Sequence, residues 1–201
     1  MPRHYHRGEL KPASAASLAL VFSAGGARGF AHIGALSVIE QHCLPIDLVV
    51  GVSMGSVIGA GYAAGIRVDE MLAFARTVSV RRLFRPRPAR LGLIDPAGVR
   101  DVLRRVLGDR RFADLDRELV VLSASLTTGE PVVIRDGLVA DAVLASTAIP
   151  LVFPPVSRGE HHLVDGGLID GLRWVSPATS APSASSPSTP TTTPVGSSAR
   201  R

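Results

Sequence analysis

Residues 47–64 have the sequence DLVVGVSMGSVIGAGYAA, and this segment carries the most informative pattern for the fold. Asp47 to Val52 is apolar and rich in β-branched side chains, which predicts a buried strand. Ser53 to Ala64 carries small side chains, which predicts a helix lying close to a sheet. The longer run Leu48 to Ile66 has no charged residue and is long enough to span a membrane. Because glycines interrupt that run, we interpret it as strand, turn and helix.

Strands and helices alternate on both sides of this segment. Upstream, the short apolar run Leu18 to Ser23 predicts a strand, and the helical spacing after it ends before Pro45. Downstream, Asp69 is predicted to cap a helix ending near Thr77. The elements predicted after it are a helix from Asp95-Pro96, with Pro96 as its first residue, to Gly108, strands at Glu118 to Leu126 and Pro131 to Arg135, a helix at Leu138 to Thr147, and a strand at His162 to Val164. This order predicts an α/β fold, a three-layer α/β/α arrangement whose central sheet is mostly parallel and covered on both faces.

The chain divides by composition into three parts. Residues 1–17 are polar and form a predicted flexible leader, and residues 18–172 form one globular domain. Residues 173–201 are rich in Ser, Thr and Pro. Such a segment cannot bury enough apolar surface to offset its ordering entropy, so we expect it to be disordered.

Composition excludes some classes of protein. A chain of 201 residues with 46% hydrophobic side chains suits a single domain with its own core. The net charge of +5 is small, and the basic run Arg81 to Arg90 contains one aromatic residue, Phe84, rather than an aromatic-interleaved stripe. We therefore interpret the run as a solvated loop and expect no nucleic-acid binding. Cys43 is the only cysteine, which excludes an internal disulfide and suits a cytoplasmic location.

The motif Gly51-Val52-Ser53-Met54-Gly55 lies between the predicted strand and its helix. A serine on such a sharp turn is exposed at the carboxyl end of the strand, and glycines on either side remove side chains that would clash. Ser53 is therefore a candidate nucleophile. The structural alternative is a tight strand-to-helix turn in which Ser53 only caps the helix.

A second glycine-rich segment, Ser23 to Gly29, also lies between a strand and a helix. Consecutive glycines can leave the N–H groups of Gly25 and Gly26 pointing into a cleft, which is what an oxyanion requires. A phosphate group could use the same geometry, so a nucleotide-binding loop is the alternative. Arg28 is a candidate for supporting the loop or meeting a lipid phosphate, and its alternative is a surface arginine.

The third segment is Asp165-Gly166-Gly167, directly after the last predicted strand. A carboxylate at the end of a strand can accept a proton from a serine hydroxyl and act as general base. Taken alone, an ordinary Asp-Gly turn is the simpler interpretation.

Together these segments resemble the patatin-like phospholipases, from about Leu18 to Leu172. The resemblance implies a Ser-Asp dyad of Ser53 and Asp165, with an oxyanion hole at Gly25, Gly26 and Ala27. It departs from the family at Ala24, where the family usually has another glycine. The segments Ala145 to Pro150 and Phe153 to Pro155 are similar to a family block that borders the site.

The resemblance implies hydrolysis of fatty acyl esters without a metal or cofactor. The implied partner is a lipid or phospholipid substrate, with peripheral membrane association in the cytoplasm. A dyad needs no histidine, although His161 and His162 lie close to Asp165 in sequence. An α/β-hydrolase triad would place its histidine after the acid, where this chain has none.

The end of the chain leaves two alternatives open. The family continues beyond D-G-G into further secondary structure, whereas here the Ser/Thr/Pro-rich tail follows. We therefore predict a truncation or frameshift near Gly171, with the C-terminal part of the fold missing and Asp165 loosely held. An inactive remnant of the family is one alternative to a hydrolase, and a phosphate- or nucleotide-binding α/β module is the other.

Overall fold

The computed structural model describes residues 18–78, 85–89 and 92–169. The predicted leader (1–17) and tail (173–201) lie outside the described residues. Within the basic run at residues 81–90, only the backbone of residues 85–89 is described.

The described residues form eight strands and five α-helices. The strands are β1 (Leu18–Phe22), β2 (Ile46–Val52), β3 (Arg85–Ala89), β4 (Gly92–Asp95), β5 (Glu118–Ser125), β6 (Pro131–Ile134), β7 (Val156–Arg158) and β8 (His161–Asp165). The α-helices are α1 (Ala31–Gln41), α2 (Met54–Ala63), α3 (Val68–Thr77), α4 (Ala97–Leu107) and α5 (Val139–Ser146).

Six of the strands form one mixed sheet. Its order is β1-β2-β5-β8-β7, with β6 also paired to β5. β1, β2 and β5 run parallel, while β6 and β8 run antiparallel to β5 and β7 runs antiparallel to β8. The predicted α/β class is therefore confirmed, with a parallel core of strands and antiparallel strands added beside it.

The strands alternate their side chains between two apolar clusters, as the pleat requires. Val49 and Val121 are fully buried in the larger cluster, to which all five α-helices contribute. Val50, Val52 and Val120 are buried in the smaller cluster on the opposite face. Among the described residues, that smaller cluster contains only strand residues and Ala24.

The uncharged run Leu48 to Ile66 divides into a strand and a helix, as predicted. β2 ends at Val52 and α2 begins at Met54, with a single residue between them. Within the described ranges, no helix combines the length and the apolar character needed to cross a bilayer.

Three local predictions are corrected. Asp69 does not cap α3, because the helix begins at Val68 and Asp69 lies in its first turn, paired with Arg67 at 3.0 Å. α4 begins at Ala97 rather than at Pro96, and the Asp95 carboxylate accepts the Ala97 N–H at 2.9 Å. The basic run is not all loop, since Arg85–Ala89 forms a strand that β4 pairs.

Gly55 and Gly34 provide a test of the close approach between β1 and α2. A Cβ at Gly55 would lie 2.3 Å from the Phe22 carbonyl oxygen, whereas a Cβ at Gly34, within α1, meets nothing within 4 Å. We expect Gly55→Ala to lower the free energy of unfolding by about 1–3 kcal/mol through overpacking. Gly34→Ala should raise it by roughly 0.5–1 kcal/mol, because alanine loses less entropy in a helix. Urea denaturation would measure the free energy of unfolding of both variants. An equal change in the two variants would contradict the close approach of α2 to β1.

Candidate active site

Ser53 occupies the sharp turn between β2 and α2. Its backbone is left-handed, with φ of 53° and ψ of −125°, which is strained for a residue with a side chain. Two hydrogen bonds hold this conformation. The Ser53 N–H donates to Ser146 Oγ at 2.9 Å, and Ser56 Oγ donates to the Ser53 carbonyl at 2.6 Å.

The glycines on either side of Ser53 are required by close backbone contacts. A Cβ at Gly51 would lie 2.5 Å from the Cα of Ser56, and one at Gly55 would lie 2.3 Å from the carbonyl oxygen of Phe22. The motif therefore brings the start of α2 directly against the ends of β1 and β2.

Asp165 is the last residue of β8. Its N–H donates to the Ala148 carbonyl at 2.9 Å, and its Oδ1 accepts the Gly167 N–H at 2.7 Å. A Cβ at Gly166 would lie 2.6 Å from the Leu122 carbonyl oxygen, so the chain leaving Asp165 runs against β5. These contacts correct the expectation that Asp165 is loosely held.

The two candidate residues are in direct contact. Ser53 Oγ donates to Asp165 Oδ2 at 2.6 Å, although the residues are 112 positions apart in the chain. Ser53 is 7% exposed and Asp165 is 6% exposed, so water screens their interaction weakly. Because a hydroxyl has one proton, Ser53 in this arrangement cannot also donate to a histidine.

The register of β5 sets this contact. Leu122 of β5 pairs with Val52, the residue before Ser53, while the next residue, Ser123, pairs with Asp165. One strand thus places the ends of β2 and β8 at neighbouring positions.

Burial raises the pKa of Asp165, and the hydrogen bonds from Ser53 and Gly167 partly oppose that rise. The net effect is a carboxylate more basic than an ordinary aspartate, and so better able to accept a proton.

The glycine-rich loop lies beside both residues. It continues as a short 3₁₀ helix at Gly26–Phe30, and a Cβ at Gly29 would lie 2.4 Å from Met54 Cγ. The first N–H groups of such a helix, at Gly25, Gly26 and Ala27, have no acceptor within it. The Arg28 side chain is exposed, and its backbone N–H donates to the Gly25 carbonyl at 3.1 Å.

Ala24, where the resemblance would place another glycine, is accommodated by Gly167 across the site. A Cβ at Gly167 would lie 2.9 Å from the Ala24 Cβ. The methyl group of Ala24 therefore fits because Gly167 has no side chain.

Ser146 is a site residue whose role the sequence did not reveal. Its hydroxyl accepts the Ser53 N–H and donates to the Leu122 carbonyl at 2.6 Å, so it joins the turn to β5 from α5. The segment Ala145 to Pro150 was predicted to border the site, but nothing in it singled out this bridge.

The histidines have other contacts. His161 Nδ1 lies 3.0 Å from Ser125 Oγ, and His162 Nδ1 lies 3.3 Å from Ser157 Oγ. His32 is half-buried beside the ring of Phe22, and burial lowers its pKa. Across the described ranges, no three His, Cys, Asp or Glu side chains are grouped so as to hold a metal ion.

Comparisons with known proteins give one family. Residues 20–177 match the family described as patatin-like phospholipase. An uncharacterized NTE family protein of Mycobacterium tuberculosis is 32% identical over 166 residues, which are 81% of this chain and 46% of the relative. The lysophospholipase nte1 of Aspergillus fumigatus is 31% identical over 163 residues, covering 78% of this chain and 11% of that protein.

A solved structure shares the fold. The crystal structure of VipD from Legionella pneumophila superposes with a TM-score of 0.64 at 14% identity, over 77% of this chain and 46% of that one. The present chain thus spans about half the length of VipD and of the mycobacterial relative, and a ninth of the fungal one.

The raised pKa of Asp165 predicts how stability depends on pH. Folding opposes ionisation of this carboxyl, and the ionised carboxylate therefore lowers the free energy of unfolding. This loss of stability is complete above the pKa of Asp165 in the folded protein. It is absent below pH 3.8, where the carboxyl is protonated in both the folded and the unfolded protein. We expect Asp165→Asn to be more stable than the parent at pH 7, with the difference shrinking as pH falls. Asp69→Asn is the control. The hydrogen bond from Arg67 lowers the pKa of Asp69, so removing this carboxylate should make the protein less stable at pH 7. Urea titrations at several pH values would decide, and a less stable Asp165→Asn at pH 7 would contradict the assignment.

The bridge at Ser146 gives a second prediction. Ser146→Ala leaves the Ser53 N–H and the Leu122 carbonyl without their partner, which should cost roughly 1–3 kcal/mol of unfolding free energy. Ser37→Ala removes a local bond to the Gly34 carbonyl in α1 and should change stability by no more than about 0.5 kcal/mol. Chemical denaturation compares the two, and equal stability of both variants would rule out a supporting role for Ser146.

Proposed function

Because the chain belongs to the patatin-like phospholipase family, we propose that it is a serine acyl hydrolase that cleaves fatty acyl esters of lipids. The observation that carries the proposal is the buried hydrogen bond from Ser53 Oγ to Asp165 Oδ2, at 2.6 Å. The relative named as a lysophospholipase supports a lipid ester as the substrate class.

In the proposed first step, Ser53 Oγ attacks the ester carbonyl carbon while Asp165 Oδ2 takes the hydroxyl proton. The tetrahedral intermediate collapses by breaking the bond to the alcohol oxygen, which leaves with the proton from Asp165. The product is an acyl-enzyme on Ser53 and a free alcohol, the deacylated part of the lipid.

In the second step, Asp165 takes a proton from water, and the resulting hydroxide equivalent attacks the acyl carbon. Collapse of this intermediate breaks the bond to Ser53 Oγ, returns the proton to Ser53 and releases the fatty acid. The raised pKa of Asp165 suits both transfers, because each asks the carboxylate to hold a proton briefly.

The N–H groups of Gly25, Gly26 and Ala27 are proposed to bind the oxyanion in both steps. The packing of their loop against Met54, next to the nucleophile, supports this role. Each such donor contributes about 2.7–4 kcal/mol to transition-state binding in other hydrolases. Arg28 is proposed to steady the loop or to meet the phosphate of a phospholipid. The predicted cytoplasmic location and peripheral membrane association belong to the same proposal.

The proposal predicts a covalent adduct at one residue. A fluorophosphonate probe should label Ser53 of the parent chain, and mass spectrometry would locate the adduct. Ser53→Ala should lose both labelling and cleavage of a soluble short-chain ester. Asp165→Asn should reduce kcat by about 10²–10⁴-fold, the usual contribution of a general base.

Ser37→Ala is the matched control, and we expect it to retain full activity because Ser37 lies on α1 with a local hydrogen bond. A folded parent chain that neither reacts with the probe nor cleaves the ester would favour the inactive remnant. Thermal stabilisation by nucleotide without labelling would favour the phosphate-binding alternative.

A further inference from the structure

Three large apolar side chains project from neighbouring segments close to the site. Leu93 is 63% exposed, Ile149 is 42% exposed and Leu151 is 81% exposed. We refer to these three residues as the apolar rim. A local group of exposed aliphatic side chains of this kind marks a contact surface more often than isolated ones do.

The backbone of the apolar rim is held by hydrogen bonds and is strained at Leu151. Leu151 has a φ of 68°, a left-handed conformation that bulky residues rarely adopt. Its carbonyl accepts the Leu93 N–H at 3.1 Å, and the Phe153 N–H donates to the Ile149 carbonyl at 2.8 Å. Strain retained by such a network at an exposed leucine indicates a function for that side chain, since Gly or Asn would relieve it.

The apolar rim adjoins the wall of the site. Ile149 directly follows Ala148, whose carbonyl accepts the Asp165 N–H at 2.9 Å. A small apolar pocket behind this segment, lined in part by Ala148 and Phe153, has a cavity volume of only about 10 Å³. Pockets that enclose a small ligand usually measure roughly 300–1,000 Å³, so this pocket does not enclose a long acyl chain.

Basic sequence adjoins the apolar rim. Leu93 belongs to β4, which pairs antiparallel with β3, and β3 contributes Arg85 and Arg87. Residues 81–90, which include β3, contain five arginines and no acidic residue. Arginine-rich sequence in a strand paired to the one that carries Leu93 suits an anionic lipid surface, where basic residues are attracted to the headgroups and aliphatic groups enter the interface.

We propose that the apolar rim, together with the neighbouring strand β3, is the surface through which the protein docks onto an anionic lipid bilayer. The inference rests on the proposed function, because it names where the lipid substrate is met. Docking there brings the bilayer to the edge of the site, so that the acyl chain can remain in the lipid while the ester reaches Ser53.

Vesicle sedimentation tests the docking separately from catalysis. All proteins carry Ser53→Ala, so that hydrolysis cannot alter the vesicles. The vesicles are phosphatidylcholine alone or phosphatidylcholine mixed with phosphatidylglycerol. The test variant adds Leu93→Thr and Leu151→Asn, which suit a strand and a left-handed backbone respectively. The matched control adds Val38→Gln on α1, where Val38 is 51% exposed.

We expect the parent to bind the anionic vesicles more strongly than the neutral ones. The test variant should bind them roughly tenfold or more weakly, because each buried leucine contributes more than the free energy of a tenfold change. The control variant should bind like the parent. The melting temperature of the test variant should not fall, because asparagine is tolerated at the strained position.

Undiminished binding by the test variant would overturn the proposal, as would equal binding to both vesicle types. A dimer in solution that only the test variant dissociates would also overturn it, by assigning the rim to a second copy of the chain. With Ser53 intact, the test variant should still cleave a soluble ester at the parent rate. If the parent itself cleaves no ester while rim-dependent binding persists, the proposed catalysis fails and the docking stands.

Discussion

The hydrogen bond between Ser53 and Asp165 depends on a single strand. β5 pairs with β2 through Leu122 and with β8 through Ser123, so neighbouring residues of one strand fix the two strand ends from which the hydroxyl and the carboxylate extend. Ser146 reinforces this arrangement, because its hydroxyl joins the Leu122 carbonyl to the Ser53 N–H. Since β5 is buried at nearly every position, its register cannot slip without moving apolar side chains into water. The packing that fixes the register of β5 therefore also fixes the positions of Ser53 and Asp165.

Local patterns predicted the parts of the fold that local forces determine. The strand, turn and helix around Ser53 were predictable, because an apolar run, a glycine-flanked serine and a small-residue helix are contiguous in the sequence. The antiparallel pairing of β8 was not, since the direction in which a five-residue strand joins a sheet depends on distant residues. Asp69 was misassigned because either the residue before a helix or one in its first turn can be acidic. The bridge at Ser146 could not be predicted, because its partners are 93 and 24 residues away.

Two side chains, one at the candidate site and one on the apolar rim, extend from an unusual backbone conformation. Ser53 and Leu151 both carry side chains in the left-handed region, at φ values of 53° and 68°. In each case hydrogen bonds from neighbouring segments hold the conformation, and in each case the strain fixes where the side chain projects. The hydroxyl of Ser53 is thereby directed at Asp165, while Leu151 is directed away from the core. At both positions the strained backbone costs some stability but fixes the placement of a side chain that takes no part in core packing.

The hydrogen bond from the Ser53 N–H to Ser146 Oγ occupies the backbone amide of the candidate nucleophile. An amide already engaged with a serine hydroxyl is not available to a substrate, so the proposed oxyanion would be bound by N–H groups other than that of Ser53. The glycine-rich loop that follows β1 lies beside Ser53, and its N–H groups are the ones proposed for that role. Under the proposed function, the nucleophile at Ser53 and the oxyanion donors at Gly25 to Ala27 lie about thirty residues apart in the sequence, so a substitution in one segment leaves the other unchanged.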